Sequence, residues 1–290
     1  MIPDNDWYGH KYILSLYCGH LQPPAIFGSL MHGWRSEMDG SGHRRLTSAP
    51  LLVWNELLAA EAKQNGVPNT RSIGAPFLYL IDLLGRGSLR TPPGRGTLCF
   101  PYHSAGELRV DRNHRRFVEH VEATETGPFT ASLFYQDINR PGFRDPFDEA
   151  GWRIVCCGTR DDPLFLFRLY AEILSHEVVL ADQLGSSIWY AGALGRRIRI
   201  VPATPKMSRS GENEELTDFV STFPMLHGAG LDQRAARDEA YIQLGYSSML
   251  NPTDLSGILG WNSSKRFYAS VLGKVIDHRR APGARGGKDL

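Results

Sequence analysis

Polar residues suited to binding an anion or moving a proton recur directly after short apolar runs of this 290-residue chain. They are His32, His103 with Ser104, Gly158 with Thr159, and Gly185 with Ser186 and Ser187. An imidazole titrates near neutral pH and can donate to a phosphate or accept a proton. Glycine allows close approach of the backbone, and serine adds a hydroxyl. These residue types favour a site that binds a phosphorylated ligand and transfers a proton.

The segment Gly185-Ser186-Ser187 carries the strongest of these signals, because it opens a predicted helix directly behind a predicted strand. The first N–H groups of a helix have no partner within it and its N-terminus is partly positive, which suits a phosphate. The alternative is a serine N-cap with only a structural role. No G-x-x-x-x-G-K-S/T motif occurs and no G-x-G-x-x-G motif follows a strand, so neither a P-loop nor a dinucleotide fingerprint is present.

Two histidines and two carboxylates are candidates for the proton transfer. His103 could donate to a phosphate or a leaving group, and His32 could act as a general base. Glu37 and Glu56 are alternative bases. Each of these residues could instead have only a structural role, and Trp34 could either stack on a ligand ring or pack in the core.

Several other chemistries have no counterpart in the chain. The motifs H-E-x-x-H, C-x-x-C and G-x-S-x-G do not occur. Asp162 precedes Pro163 and is accounted for as the N-cap of a helix, which leaves Asp161 without a metal-binding partner. We therefore expect no metal site. The four cysteines are too few and too unevenly spaced for a disulfide scaffold, so we expect them to be reduced.

The elements that must position these residues are marked most clearly from residue 96 onward. Five apolar runs alternate with helical segments, at 97–100, 130–135, 152–157, 177–182 and 197–201. Repetition of strand and helix with short connections predicts right-handed crossovers and a parallel sheet. In such a sheet a ligand binds beyond the carboxyl ends of the strands, which is where the polar residues fall.

The first 95 residues repeat the pattern with less regularity. Strands are predicted at 12–17, 25–31, 50–54 and 71–76, with a helix over 57–65. Glycine and proline over 85–96 mark a linker between two α/β halves. Beyond residue 205 the sequence contains a polar stretch at 208–215 and a basic tail from 278, and it predicts helices at 252–259 and 264–275.

Composition excludes several classes of protein. The chain has 32 Lys and Arg against 31 Asp and Glu, which argues against a nucleic-acid-binding surface. At 42% hydrophobic and 22% charged it has the composition of a globular protein. No apolar stretch is long enough to span a membrane and the first residues lack the features of a signal peptide, so we expect a cytoplasmic protein. Only six of the cations are lysine, and a high-GC genome explains the arginine excess better than anion binding does.

Several motifs occur in an order that resembles a group of small bacterial glycosyltransferase-like proteins of the GT-B fold, found among surface-polysaccharide and secondary-metabolite genes. The motifs are His32-Gly33-Trp34, Ile73 to Phe77, Phe100 to Ser104, Tyr135 to Ile138, Gly151 to Val155, Cys157 to Leu166 and Asp182 to Ala191. The resemblance covers about residues 30–202, with a weaker likeness at 255–261.

This resemblance implies an α/β fold with two Rossmann-like domains that face each other across a cleft, followed by a helical C-terminal segment. The units would be an acceptor-side domain (1–90), a nucleotide-sugar-binding domain (96–205), the helical segment (206–280) and a disordered tail (281–290). Carried over from the family, the donor site would be lined by His103, Ser104, Gly158, Thr159, Gly185, Ser186 and Ser187. His103 and Ser186-Ser187 resemble the His-Pro and Ser-Ser elements of GT-B sialyltransferases. Ser104 stands where those enzymes have proline, which argues against a cytidine-monophosphate donor.

The implied reaction moves a sugar from a nucleotide-sugar donor to an unidentified small-molecule or glycan acceptor. The resemblance implies no bound metal. It also implies no cofactor, since the nucleotide sugar is a co-substrate. His103 and the N–H groups of Ser186 and Ser187 would stabilise the departing nucleotide, and His32 or Glu37 would deprotonate the acceptor. Two alternatives stay open: a nucleotide-sugar epimerase or hydrolase on the same fold, and a catalytically inactive partner protein. A homodimer is compatible with the chain.

Overall fold

A computed structural model of the chain describes residues 5–38, 49–85, 94–103, 114–140, 142–201 and 221–262. Within these ranges the chain forms two parallel β-sheets with associated helices, and a helical segment follows the second sheet. This is the α/β fold class that the sequence predicts. None of the helices in these ranges is long and apolar enough to cross a membrane. Several sequence predictions fall outside the described residues: Ser104, most of the linker at 85–96, the polar stretch at 208–215, the helix at 264–275 and the tail.

The first sheet has three strands in the order β1-β2-β3, all parallel. They are β1 (Ser29–Leu30), β2 (Leu51–Val53) and β3 (Thr70–Ser72). Every residue of the central strand β2 is buried, as expected of a strand covered on both faces. Three helices belong to this part of the chain: α1 (His10–Tyr17), α2 (Glu56–Gln64) and α3 (Pro76–Gly85). The predicted strand at 50–54 is confirmed as β2. Of the predicted strand at 71–76 only residues 71–72 lie in β3, because Pro76 begins α3, and of the predicted strand at 25–31 only β1 pairs.

The predicted strand at 12–17 is wrong, because this segment lies in helix α1. Ile13 and Leu14 are both fully buried, although successive residues of a strand would point to opposite faces. Tyr17 packs against Tyr79 of α3 with their ring centroids 4.7 Å apart. A short apolar run fits either element by sequence alone, and the buried face that α1 shares with α3 selects the helix.

The second sheet has five parallel strands in the order β6-β5-β4-β7-β8. They are β4 (Thr97–Phe100), β5 (Phe129–Ser132), β6 (Arg153–Val155), β7 (Val178–Ala181) and β8 (Arg197–Ile200). Its helices are α4 (Arg115–Thr124), α5 (Asp145–Glu149), α6 (Phe165–Ser175) and α7 (Ser186–Ala193). The five strands predicted from the sequence are confirmed. The strand order reverses between β4 and β7, which is the Rossmann-like arrangement and places a ligand crevice at that point.

Helix α6 begins later than the sequence predicts. Asp162 is not its N-cap, because the helix starts at Phe165 and Leu164 occupies the cap position. The Asp162 carboxylate accepts hydrogen bonds from the Leu164 N–H at 2.9 Å and from Arg168 at 2.5 Å. Pro163 lies against the backbone of Gly9, where a Cβ would come within 2.2 Å of the proline carbonyl oxygen. The Asp-Pro pair therefore forms a turn against which the segment before α1 packs.

The helical segment after the second sheet contacts both parts of the chain. It contains α8 (Gln233–Gln243) and α9 (Pro252–Leu259). In α8 the side-chain amide of Gln233 accepts from the Ile198 N–H at 2.8 Å and donates to the Ile198 carbonyl at 3.1 Å, so it pairs with the edge strand β8. In α9 the predicted cap is confirmed, since the Asn251 side chain accepts from two N–H groups of the first turn. Beyond α9, Trp261 donates to the carbonyl of Ala25 at 3.1 Å.

One large apolar cluster runs through both parts of the chain, and a second one lies on the other face of the five-stranded sheet. In the large cluster Phe77 of α3 stacks on Tyr190 of α7, with ring centroids 4.1 Å apart and an interplanar angle of 21°. Trp54, which follows β2, lies 6.0 Å from the same tyrosine ring. The helices next to the two sheets therefore share a core.

Candidate functional site

A cavity of about 310 Å³ lies at the carboxyl ends of both sheets. From the first part of the chain it is lined by Tyr8, His10, His32 and Gly33. From the second part it is lined by the segments that follow β4, β5, β6 and β7, at 100–103, 132–134, 157–158 and 183–187, and by side chains of α6 and α7. The strand ends of two separate sheets therefore converge on one space, and part of it lies at the strand reversal between β4 and β7.

Six of the nine site residues named from the sequence line this cavity: His32, His103, Gly158, Gly185, Ser186 and Ser187. Glu37 and Thr159 are solvent-exposed and are not part of its lining. Ser104 lies outside the described residues. Glu56, the other carboxylate considered, is the first residue of α2 and accepts a hydrogen bond from Ser72 away from the cavity. Of the candidate bases, His32 is the one that the fold brings to the cavity.

His103 lies on the rim behind β4. Its imidazole is exposed and stacks on the ring of Phe134, which follows β5, with centroids 4.3 Å apart and an interplanar angle of 22°. The backbone N–H of Tyr102 donates to the buried carboxylate of Asp182, behind β7, at 2.7 Å. This bond joins the two strand ends on either side of the reversal, so it fixes the backbone that presents His103.

Helix α7 points its N-terminus at the cavity. Gly185 is its N-cap and makes no side-chain cap hydrogen bond, so Ser186 and Ser187 are the first helical residues and not caps. The N–H groups of a first helical turn have no intrahelical partner, and the helix dipole adds partial positive charge there. The Ser186 hydroxyl accepts a hydrogen bond from the backbone N–H of Trp34 at 2.8 Å. The backbone of this turn is therefore arranged to receive an anion.

Gly158 presents bare backbone to the cavity behind β6. Its φ of +114° lies in the region that favours glycine, and a Cβ there would fall 2.6 Å from a carboxylate oxygen of Asp162. Arg168 of α6 braces the turn, since its guanidinium donates to the Cys157 carbonyl at 2.9 Å and to Asp162. The glycine is therefore required by the packing of this turn, and its backbone forms part of the cavity wall.

His10 is a cavity residue that the sequence analysis missed. It is fully buried, and within the described part of the chain neither of its ring nitrogens has a hydrogen-bond partner. Burial, and to a lesser extent the neighbouring His32, lowers its pKa to about 3, so the ring is neutral near pH 7. The two imidazoles lie nearly parallel, with centroids 6.1 Å apart.

The turn before His10 holds it in place. Tyr8 has a φ of +58° and its N–H donates to the carbonyl of Arg160 at 2.5 Å. The Arg160 guanidinium in turn lies 4.3 Å from the ring centre of Trp7. The signal that could have identified this turn is the run Trp7-Tyr8-Gly9-His10 directly before an apolar segment, once that segment is recognised as a helix.

Trp34 packs in the core, the second of the two roles considered for it. Its ring lies 5.9 Å from that of Trp189 in α7, and its indole N–H donates to the side chain of Gln243 in α8 at 2.7 Å. It is therefore partly buried and is held by two helices. The neighbouring arginines Arg35 and Arg160 are not among the described residues that line the cavity.

The described wall of the cavity holds no Lys, Arg, Asp or Glu side chain. Its polar groups are three imidazoles, the hydroxyls of serine and tyrosine, the Gln183 amide and backbone N–H groups. Among the described residues no three His, Cys, Asp or Glu side chains are grouped so that they could hold a metal ion. A negative ligand held by this wall would be stabilised by N–H donors, imidazole and the helix dipole.

The fold is that of an α/β protein with two parallel sheets, and a cavity lies where strands of both sheets end. No family model matches the chain, and no curated protein matches its sequence. Among solved structures it is similar to UDP-GlcNAc 2-epimerase from Neisseria meningitidis bound to UDP-GlcNAc, at 11% identity over 80% of this chain and 71% of that chain, with a TM-score of 0.34.

Two further solved structures are similar at the same level. MnaA from S. aureus in a co-structure with UDP has 9% identity over 83% of this chain and 62% of that chain, with a TM-score of 0.36. Apo UGT2 from Phytolacca americana has 13% identity over 79% of this chain and 55% of that chain, with a TM-score of 0.29. Because the three TM-scores are below 0.5, the function proposed below rests on the site itself.

Proposed function

We propose that the chain is a glycosyltransferase that moves a sugar from a nucleotide-sugar donor to an acceptor without a bound metal. One observation carries this proposal: the cavity joins an anion-binding helix N-terminus and His103, from the second sheet, to His32 from the first. A group-transfer site needs both a place for the departing anion and a base for the incoming nucleophile. In this proposal the second sheet supplies the place for the anion, and the first sheet supplies the base.

The donor phosphates are assigned to the second sheet. Cleavage of the bond between sugar and phosphate leaves the electron pair on the phosphate oxygen, so negative charge grows there. The N–H groups of Ser186 and Ser187 and the imidazole of His103 would stabilise that charge by hydrogen bonds and by the helix dipole.

The acceptor base is assigned to His32. It lines the cavity, whereas the alternative Glu37 is exposed outside it. His10 is a poor base, because a pKa of about 3 keeps it unprotonated and weakly basic at neutral pH. His32 would take the proton of the acceptor hydroxyl or amine as the acceptor attacks the anomeric carbon.

A thermal-shift experiment tests the donor site. The wild-type chain is heated in buffer containing EDTA with UDP, GDP, CMP or UDP-GlcNAc. UDP and UDP-GlcNAc are included because the descriptions of two similar structures name them. A ligand present at 100 times its Kd should add about 2.7 kcal/mol of stability and raise Tm. His103→Ala, which removes an imidazole, and Ser187→Ala, which removes a hydroxyl from the lining of the cavity, should reduce the shift. Thr124→Ala, on an exposed position of α4, is the matched control and should keep it.

Product analysis then separates transfer from its alternatives. The stabilising nucleotide sugar is incubated with and without a panel of hydroxyl acceptors. Transfer predicts a glycosylated acceptor, whereas an epimerase or hydrolase converts the donor without one. Absence of stabilisation by every nucleotide and nucleotide sugar would contradict the proposal and favour an inactive partner protein.

A further inference from the structure

The hydroxyl of Ser186 links helix α7 directly to the loop that carries His32. Its oxygen accepts from the backbone N–H of Trp34 at 2.8 Å. A serine hydroxyl has one donor and two acceptor positions, so this bond uses one of the acceptor positions inside the protein. The backbone N–H of Ser186 is not involved in this bond.

The partner of this bond is itself held firmly. The Trp34 indole donates to Gln243 of α8 at 2.7 Å and packs beside Trp189 of α7. Gly33, between His32 and Trp34, lies so close to α7 that a Cβ on it would be 3.5 Å from the Ser186 oxygen. The three-residue loop 32–34 therefore runs directly over the first turn of α7.

We propose that Ser186 is a positioning residue whose hydroxyl holds the loop 32–34 against the N-terminus of α7. The bond fixes the separation between His32 and the first-turn N–H groups, which are the candidate base and the candidate anion site. The chemistry of those two groups rests on the proposed function, whereas the link between them rests on the hydrogen bonds alone.

The link has a specific consequence for substitution at Ser186. Removing the hydroxyl leaves both first-turn N–H groups in place, so the anion site should survive. The loop loses its backbone hydrogen bond to α7 and keeps only the contacts of the Trp34 indole, so His32 should then move or sample more than one position. Because a displacement of about 1 Å in a reacting group can cost up to about a hundredfold in rate, turnover should suffer more than donor binding.

The first experiment measures His32 without any nucleotide. The ring resonances of histidine are followed through a pH titration by NMR, with His32 assigned from a His32→Asn variant. Ser186→Ala should shift the His32 resonances and its titration midpoint, and Ser186→Thr, which keeps a hydroxyl, should restore them. Ser187→Ala, one residue along the same turn, is the matched control and should leave His32 unchanged. A Ser186→Ala titration that superimposes on the wild-type one would overturn the proposal.

The second experiment separates kcat from KM with the nucleotide sugar that the wild type turns over. Ser186→Ala should lower kcat by about ten- to a hundredfold while the donor KM stays within about twofold. A raised KM with unchanged kcat in Ser186→Ala would make Ser186 a ligand-binding residue and overturn its positioning role.

Two precautions keep the outcomes distinct. Tm is recorded for each variant, and Ser186→Cys, which keeps the side-chain volume but accepts hydrogen bonds only weakly, replaces Ser186→Ala if the latter does not fold. If the wild type neither binds nor turns over a nucleotide sugar, the proposed function fails. The His32 titration then still decides whether Ser186 holds the loop.

Discussion

His10 shows how much a single residue can cost the folded state. Its imidazole is fully buried and, within the described residues, has no hydrogen-bond partner at either nitrogen. Each buried polar group left unsatisfied costs about 1–3 kcal/mol. Burial also penalises the charged form, which is why the pKa falls to about 3. A group of this kind makes stability depend on pH.

Acid should destabilise the chain through His10. The folded-state pKa lies below the unfolded value of 6.5, so below pH 6.5 the unfolded chain binds the extra proton. The stabilising contribution of the neutral ring is fully present above pH 6.5 and is lost as the pH falls towards 3, by up to about 1.4 kcal/mol for each pH unit. Urea unfolding between pH 7.5 and 5 measures it.

The His10→Phe variant is the comparison for this measurement. It removes the titrating group and should make the free energy of unfolding less dependent on pH. The part of the pH dependence that is due to His176, whose pKa is also lowered by burial, should remain. His176 differs in being satisfied, since its ring nitrogens contact Thr130 at 2.9 Å and the Glu172 carbonyl at 2.7 Å. Equal pH dependence in the wild type and His10→Phe would contradict the assignment.

At the scale of elements, the edge strand β8 depends on one side chain from another element. The Gln233 amide bonds both the N–H and the carbonyl of Ile198, in the way a neighbouring strand would. Gln233→Ala should remove both hydrogen bonds and lower the free energy of unfolding by about 1–3 kcal/mol. Hydrogen exchange at the Ile198 amide should accelerate. Arg234→Ala, exposed and one residue away, is the control; unchanged exchange in Gln233→Ala would refute the role of the amide.

The five strands of the second sheet could be predicted because each apolar run ends in a glycine, a proline or a polar cluster. That pattern also located His103, Gly158 and the first turn of α7, since parallel strands end at one edge. The run at 12–17 is also bounded by glycines, Gly9 and Gly19, but so short an apolar run suits a strand or a helix equally. A sequence analysis that does not recognise α1 also overlooks His10. The position of His10 at the cavity depends on the packing of α1 against α3 and on the turn at 159–165.

At the scale of the whole molecule, the two sheets should not unfold independently. Phe77 and Tyr190 stack in the cluster that runs through both parts of the chain. Phe77→Ala should lower the free energy of unfolding by about 3–5 kcal/mol, the usual cost of truncating a buried phenylalanine. Hydrogen-exchange mass spectrometry should show β2 and β7 losing protection together.

The control for this prediction lies on the surface. Leu57 of α2 is 67% exposed, so Leu57→Ala should change stability little. Retained protection of β7 in Phe77→Ala, alongside loss in β2, would show that the two sheets are energetically separate. The sequence alone does not reveal this coupling, because it depends on a contact between residues 77 and 190 that no local pattern records.

The uncharged character of the described cavity wall affects how binding should respond to ionic strength. Surface guanidinium and ammonium groups attract a phosphate over a distance that salt screens, with a Debye length of about 8 Å under physiological conditions. Short hydrogen bonds from buried N–H groups are screened far less. A nucleotide held by the described wall alone should therefore keep most of its affinity from dilute buffer to several hundred millimolar salt.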